Sequence, residues 1–235
     1  MEYITVGEIV KSDIRTAAVF SKYGIDFCCG GGKIVKDACN KKNVNINELI
    51  NEINSLVETK NVVNYNEMIL TDLIDYIVDT HHSYVLDTIP VILKFSEKVA
   101  KVYGNQNPEV LAINVLFNEL AIELKQHMKK EEDILFPNIR KVTNNQNNSS
   151  KLSFTSFTFQ NPIKVMKHEH DSAGDILKKI SELSCNYTLP DYACNTFKAL
   201  YYNLKAFEED LHIHIHLENN ILFPKALNLD CKSES

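Results

Sequence analysis

The 235-residue chain lacks the usual features of a membrane protein and of a nucleic-acid-binding protein. No stretch approaches the roughly 18 continuous apolar residues that a membrane-spanning helix needs. The N-terminal sequence MEYITVGEIVKSD has neither the basic region nor the apolar region of a signal peptide. The chain carries 25 Lys and Arg against 31 Asp and Glu, with no basic block, so no electrostatic footprint for nucleic acid is present. We therefore expect a cytoplasmic protein with neither membrane nor nucleic acid as a partner.

Residues that break or cross-link a chain are also few. There are only seven glycines and six prolines, and long windows repeat apolar residues at spacings of three and four. This pattern predicts a nearly all-helical protein. The six cysteines are scattered apart from the adjacent pair Cys28-Cys29, which indicates reduced thiols rather than a disulfide scaffold.

The distribution of helical patterns predicts two domains. Residues 1–62 read as a small helical N-terminal domain, broken by the turn at residues 28–32 and followed by an Asn-rich polar stretch. Residues 66–229 carry longer amphipathic patterns that suit a four-helix bundle. A polar segment from Val142 to Asn161 is predicted to be a surface crossover loop. The four predicted helices span roughly residues 68–102, 108–137, 162–184 and 191–223.

The second and fourth predicted helices end in the same motif, H-x-x-x-E-x-x-I-L-F-P. It begins at His127 in one helix and at His214 in the other. An upstream helical histidine precedes each motif, at His82 and at His170, with separations of 45 and 44 residues. The chain therefore contains the same two-helix unit twice.

The apolar stripe of each motif-bearing helix leads directly into the motif. A His and a Glu four residues apart lie on one helical face, one turn apart, so both can reach one metal centre. The stripe predicted to face the core on the second helix consists of Leu116, Leu120, Leu124, His127, Glu131 and Ile134. On the fourth helix it consists of Leu204, Phe207, Leu211, His214, Glu218 and Ile221.

On the first and third helices, we distinguish neighbouring histidines by asking which of them shares a helical face with apolar residues. His82 shares a face with Val78, Val85, Ile89 and Ile92, whereas His81 does not. His170 shares a face with Ile163, Met166, Ala173, Leu177 and Ile180. We expect the remaining histidines to face solvent: His81, His168, His212 and His216. Glu132 likewise does not lie on the core-facing stripe of its helix.

Six ionisable side chains are thus predicted to converge inside the bundle: His82, His127, Glu131, His170, His214 and Glu218. Burying even one unpaired carboxylate costs several kcal/mol, so this set calls for neutralising partners. Four His and two Glu exceed the needs of one tetrahedral zinc but suit two carboxylate-bridged iron or manganese ions, with iron preferred. The alternatives are a structural polar network, a charged surface and, at His212 and His216, an outer zinc pair lacking an evident third ligand.

The repeated motif with its upstream histidines resembles the hemerythrin-like domain. The segment YGIDFCCGGGK at residues 23–33 resembles the leading module of the repair-of-iron-centres family, ScdA/YtfE type, and the two matches together span nearly the whole chain. The resemblance implies an all-α, hemerythrin-like up-and-down four-helix bundle preceded by a small helical domain. It also implies a carboxylate- and oxo-bridged di-iron centre held by the six residues above, with both glutamates bridging. Cys28 and Cys29 match the family's paired thiols, with redox or partner contact as their role and a plain tight turn as the alternative.

The resemblance further implies repair of iron-sulfur clusters damaged by nitrosative or oxidative stress, by iron donation to the damaged proteins. Nitric oxide reduction at the di-iron site is one alternative, so whether the chain is an enzyme stays open, and no catalytic residue is assigned. An oxygen- or nitric-oxide-binding sensor is the other alternative. A homodimer is also considered, whereas the client proteins and the electron donor are left open.

Overall fold

The structure, a computed structural model, describes residues 1–56, 63–147 and 158–233. Every regular element in these ranges is a helix, apart from an isolated antiparallel bridge between Thr5 and Ile34. The chain forms two compact units. One comprises Met1–Asp75, Ile139–Gln160 and His212–Ser235, and the other comprises Tyr76–Asn138 and Asn161–Leu211. No helix in the described ranges has the length and apolar character to cross a bilayer.

The N-terminal region is helical, as predicted, and its described residues form four short helices: α1 (Val6–Ser12), α2 (Thr16–Lys22), α3 (Val35–Lys42) and α4 (Ile46–Leu56). Helix α1 begins where the Thr5 hydroxyl accepts a hydrogen bond from the Glu8 amide at 3.2 Å, which satisfies one of the free N–H groups of the first turn. Helix α3 ends at Asn43, whose left-handed backbone (φ 54°) stops the helix. Buried apolar side chains from these helices, including Phe20 and Leu49, form their core.

Three of the four long helices contain a π-helical segment. The first is α5 (Leu70–Tyr76), π1 (Ile77–His82) and α6 (Ser83–Tyr103). The second is α7 (Pro108–Lys130), π2 (Glu131–Leu135) and α8 (Phe136–Asn147). The third is the uninterrupted α9 (Gln160–Leu183). The fourth is α10 (Asn195–Leu217), π3 (Glu218–Leu222) and α11 (Phe223–Ser233).

Two of these helices run about ten residues beyond their predicted ends. The predicted stops at Pro137 and before Pro224 were wrong, because each proline is the second residue of the α-helix that follows a π segment. A proline is tolerated in the first turn of a helix, where its missing N–H is not needed. Val142 to Asn147 are accordingly helical rather than loop, and residues 148–157 of the predicted crossover lie outside the described residues.

The unit formed by Tyr76–Asn138 and Asn161–Leu211 contains the packed middle of all four long helices. The Phe207 ring of α10 lies 5.4 Å from the Phe117 ring of α7 and 6.5 Å from the Tyr84 ring of α6, measured between ring centroids. Helices α7 and α9 meet through the His127 and His170 rings, 4.7 Å apart. This arrangement confirms the predicted all-helical bundle and places histidines within its core.

The other unit joins the N-terminal helices to the ends of the long helices. Helix α1 packs against π3, and a Cβ atom added at Gly7 would lie 2.9 Å from Asn220 Oδ1, which is why the smallest residue occurs there. Arg140 Nη2 of α8 donates to Asp75 Oδ1 of α5 at 2.6 Å. Lys225 Nζ of α11 donates to the carbonyl of Met68 at 2.7 Å. The segments by which two helices extend beyond their predicted ends thus both make specific contacts.

Candidate metal centre

Each π segment carries one of the predicted metal ligands. His82 is the last residue of π1, Glu131 is the first of π2, and Glu218 is the first of π3. All three side chains are buried. A π segment inserts one residue into the helical repeat and occurs frequently at functional sites. The backbone irregularities and the predicted ligands therefore coincide.

Two predicted core residues inside π segments do not face the core, whereas Ile221 of π3 is buried as predicted. Ile134 was expected to face the core, yet it is 51% exposed, and Leu135 is buried in its place. Val78 is only half-buried, while the adjacent Ile77 is fully buried. The third helix has no π segment, and all five apolar positions predicted there are buried. The extra residue of a π turn rotates the following side chains away from the α-helical register.

Three predicted histidine ligands lie around the Glu131 carboxylate in the bundle unit, which is the compact unit formed by Tyr76–Asn138 and Asn161–Leu211. Glu131 Oε2 lies 3.4 Å from His82 Nε2 and 3.4 Å from His127 Nε2. His170 Nε2 lies 3.0 Å from His127 Nε2. One donor atom from each of His127, Glu131 and His170 lies within 4.8 Å of the other two. Such a spacing allows these atoms to share a metal ion.

The second motif repeats this geometry in the other compact unit. His214 Nε2 lies 3.1 Å from Glu218 Oε1, and both side chains are buried. The two residues are one helical turn apart, as in the pair His127 and Glu131. The fourth helix therefore presents the same imidazole–carboxylate pair as the second helix.

Two acidic side chains hold the outer nitrogen atoms of the histidines in the bundle unit. His82 Nδ1 lies 2.7 Å from Glu132 Oε1, and His127 Nδ1 lies 2.9 Å from Glu169 Oε2. The hydrogen bond with His127, aided by Lys130, lowers the pKa of Glu169 to about 2. Such outer partners fix a ring so that its Nε2 points to the metal side. Each of these glutamates directly adjoins a predicted ligand in the chain, a signal that apolar periodicity ignores.

The remaining histidines divide into one correct and three incorrect predictions. His168 is exposed, as predicted. His81 and His216 are buried and His212 is half-buried, so their predicted solvent exposure was wrong. His81 Nδ1 lies 2.9 Å from Asp210 Oδ1, and His216 Nδ1 lies 3.4 Å from the Phe27 carbonyl oxygen. Among the described residues, no cluster with metal-binding spacing includes His212 or His216.

The residues of the candidate centre fit iron. Imidazole nitrogen and carboxylate oxygen are the donors found in non-haem iron sites. The buried polar side chains of the described ranges include Glu131 and Glu218 but no Lys or Arg. A bound metal ion would supply positive charge beside these carboxylates.

Comparison with known proteins supports a metal-binding role for this site. Residues 3–57 match the model of the ScdA_N domain, described as a domain of unknown function, and residues 73–226 match the hemerythrin HHE cation binding domain. A probable iron-sulfur cluster repair protein of Haemophilus influenzae is 34% identical over 226 residues, covering 95% of this chain and 96% of that protein. The iron-sulfur cluster repair proteins YtfE of Yersinia pseudotuberculosis and Yersinia pestis are 35% identical over 224 residues, with 95% and 96% coverage.

These similarities extend over almost the entire chain, so they include both the cysteine-containing region and all six predicted ligands. The buried His and Glu side chains lie within the matched hemerythrin region, which indicates that this region binds metal, with iron the ion that suits it. The chain therefore belongs to the iron-sulfur cluster repair protein family, with a ScdA_N domain ahead of its hemerythrin HHE cation binding domain.

Proposed function

We propose that the chain is a di-iron protein that repairs iron-sulfur clusters damaged by nitrosative or oxidative stress, by giving iron to the damaged protein. The observation that carries the proposal is the buried Glu131 carboxylate, with His82 Nε2 and His127 Nε2 each 3.4 Å away. This set lies in a hemerythrin domain of a chain about one-third identical to proteins named for cluster repair. The damaged iron-sulfur protein is the proposed partner, and the cytoplasm is the proposed compartment.

The proposed ligands of the two iron ions are the six side chains His82, His127, Glu131, His170, His214 and Glu218. Duplication of the motif supports a binuclear centre, because each two-helix unit supplies one upstream His and one His-x-x-x-Glu pair. We place Glu131 and Glu218 as the bridging carboxylates. Bound ferrous ions would supply metal for an incomplete cluster, with coordination positions open to nitric oxide or oxygen. The protein's own part is to hold His82 and His127 in fixed orientations through Glu132 and Glu169.

Partial exposure of the outer partners supports iron that can leave. The side chains of Glu132 and Lys130 are both 40% exposed, and that of Glu169 is 29% exposed. The buried histidines are thus one hydrogen bond away from solvent-accessible groups. Because such outer partners affect metal affinity, their access to water or to a docked protein offers a way to loosen the ligands.

Repair of a damaged enzyme tests this function. Anaerobic protein loaded with ferrous iron is mixed with aconitase whose cluster has been damaged by nitric oxide, and the recovered aconitase activity is followed. We expect faster and fuller recovery than with the same amount of free ferrous iron. The His168→Ala variant is the matched control and should repair normally, whereas His170→Ala should repair poorly. Recovery no better than with free ferrous iron would exclude iron donation.

Two alternatives to iron donation are not favoured: nitric oxide reduction, and reversible binding of oxygen or nitric oxide as a sensor. The relatives that match over 95% of the chain are named for cluster repair. The N-terminal ScdA_N domain is moreover a feature that a simple gas carrier does not require.

A further inference from the structure

The two adjacent cysteines lie in a turn that one carboxylate closes. We call residues 26–31 the thiol turn. Asp26 Oδ1 accepts hydrogen bonds from the amides of Cys28 at 3.0 Å and Cys29 at 3.1 Å, and Asp26 Oδ2 accepts from the amide of Gly30 at 2.9 Å. Three N–H groups bound to one side chain define the backbone of the turn. The two sulfur atoms are therefore held in different surroundings.

Cys28 is the inner thiol of the pair. Its side chain is buried, and its Sγ lies 3.3 Å from Asp26 Oδ1 and 3.9 Å from Cys29 Sγ. Both neighbours are acceptors for the Cys28 S–H group. The hydrogen bond with Cys29, the burial and the negative charge of Asp26 together raise the pKa of Cys28 well above its usual value. Cys28 therefore keeps its proton and acts as a donor.

Contacts on the other side of the turn hold Cys28 in this place. Asn220 Nδ2 of π3 donates to the Cys28 carbonyl oxygen at 3.2 Å. The Phe27 ring lies 6.0 Å from the His212 ring and 5.8 Å from the His216 ring, measured between centroids. Phe27 is buried, whereas Cys29 is half-buried. The anchored side of the turn thus carries Cys28, and the accessible side carries Cys29.

We propose that the two thiols have separate roles, in which Cys29 is a site of S-thiolation by low-molecular-weight disulfides and Cys28 is its hydrogen-bond donor. A thiolate on Cys29 accepts the Cys28 S–H and attacks one sulfur of the disulfide. The disulfide bond of the reagent breaks, a mixed disulfide forms on Cys29, and the other half leaves as a thiolate that takes up the proton released by Cys29. This inference is independent of the proposed repair function.

The mixed disulfide should persist rather than pass to Cys28. Displacing the adduct would require a thiolate at Cys28, and Cys28 retains its proton. Joining the two sulfur atoms, now 3.9 Å apart, to bond length would also require movement of a turn whose amides at Cys29 and Gly30 are bound to Asp26. The structure therefore favours a single stable adduct over a disulfide between adjacent cysteines.

Peptide mapping tests the proposal on the full-length, iron-loaded protein. The protein is treated anaerobically with glutathione disulfide, quenched with acid, and the site of each adduct is assigned by fragment mass spectrometry. Buried Cys39 and exposed Cys185 serve as internal references for slow and fast thiols. We expect Cys29 to gain glutathione at least about tenfold faster than Cys39, with Cys28 unmodified. An adduct on Cys28, a Cys28–Cys29 disulfide, or a Cys29 rate no faster than Cys39 would overturn the proposal.

Substitutions in the thiol turn provide a second test of the separate roles of the two cysteines. Cys28→Ser retains a hydroxyl donor, so Cys29 should still gain glutathione. Cys29→Ser should leave the turn unmodified, because Cys28 stays buried against Asp26. The Asp26→Ala variant loses the three hydrogen bonds from the backbone amides. Cys28 should then become modified at a rate approaching that of Cys29. Circular dichroism confirms folding in each case, and rapid modification of Cys28 in the Cys29→Ser variant would contradict separate roles.

Discussion

At the residue scale, the ionisable side chains are fixed by partners that lie far away in the sequence. Periodicity was sufficient to predict burial of the six proposed ligands, because each lies on an apolar helical face. It was not sufficient for His81 or His216. Their partners, Asp210 and the Phe27 carbonyl group, are 129 and 189 residues away. Only the tertiary structure brings such groups together, so no local pattern could indicate them.

The half-buried carboxyl group of Glu208 gives a prediction at this scale. Burial raises the pKa of Glu208 from its usual 4.5, with Tyr187 beside it, whereas Glu209 is exposed. A raised folded pKa means that the folded state favours the protonated form, so ionisation of Glu208 lowers stability as pH rises above about 4.5. Glu208→Gln should therefore raise the urea midpoint at pH 7 and have little effect at pH 4. Glu209→Gln is the control, and equal effects of both variants at pH 7 would refute the prediction.

At the scale of helices, the π segments set the limit of what the sequence could predict. The α-helical repeat of 3.6 residues placed all five predicted apolar residues of α9 in the core, although it did not identify the buried Ile176. It failed after Glu131, where π2 inserts an additional residue, and it also missed the continuation of helices through Pro137 and Pro224. The repeated motif nevertheless marked both places, since Glu131 and Glu218 are the first residues of π2 and π3. The π geometry itself has no sequence signature as strong as the apolar repeat.

Adjacent substitutions in π2 test this description. Leu135→Ala should lower the free energy of unfolding by about 2–5 kcal/mol, because it leaves a cavity at a fully buried position. Ile134→Ala should change it by no more than about 0.5 kcal/mol, because Ile134 is 51% exposed. Urea unfolding of the two variants provides the comparison. A larger loss for Ile134→Ala than for Leu135→Ala would show that the helix continues in α-helical register.

At the scale of the whole molecule, Gly31 permits close packing between the thiol turn and helix α1. A Cβ atom at Gly31 would lie 2.4 Å from the Phe27 carbonyl oxygen and 3.2 Å from Gly7 Cα. A Cβ atom at the neighbouring Gly32 would meet nothing within 4 Å. The resemblance at residues 23–33 indicated a functional role for the paired thiols of this turn. It could not indicate that the Cys28 carbonyl group accepts a hydrogen bond from Asn220.

The two neighbouring glycines form a matched pair for a stability test. Gly31→Ala should lower the urea midpoint and speed glutathione modification of Cys28, because the added methyl group displaces the thiol turn from Asn220. Gly32→Ala should leave both properties close to those of the unmodified chain. If the two variants behave alike, then the close approach at Gly31 does not hold the turn in place.

The molecule's proposed chemistry depends on the two motifs acting as one centre. Glu131 comes from the second helix and Glu218 from the fourth. If both glutamates held one binuclear centre, removal of either would release both iron ions. Separate mononuclear sites would instead make the two glutamates independent of each other.

Metal analysis of anaerobically purified protein distinguishes these arrangements most directly. We predict about two iron ions per chain in the unmodified protein and in the exposed-histidine control His168→Ala, as in other di-iron bundles. Glu131→Ala and Glu218→Ala should each lose both irons together, while far-ultraviolet circular dichroism shows the helices retained. Retention of one iron ion in each of these variants, or full iron content in either, would contradict a shared di-iron centre.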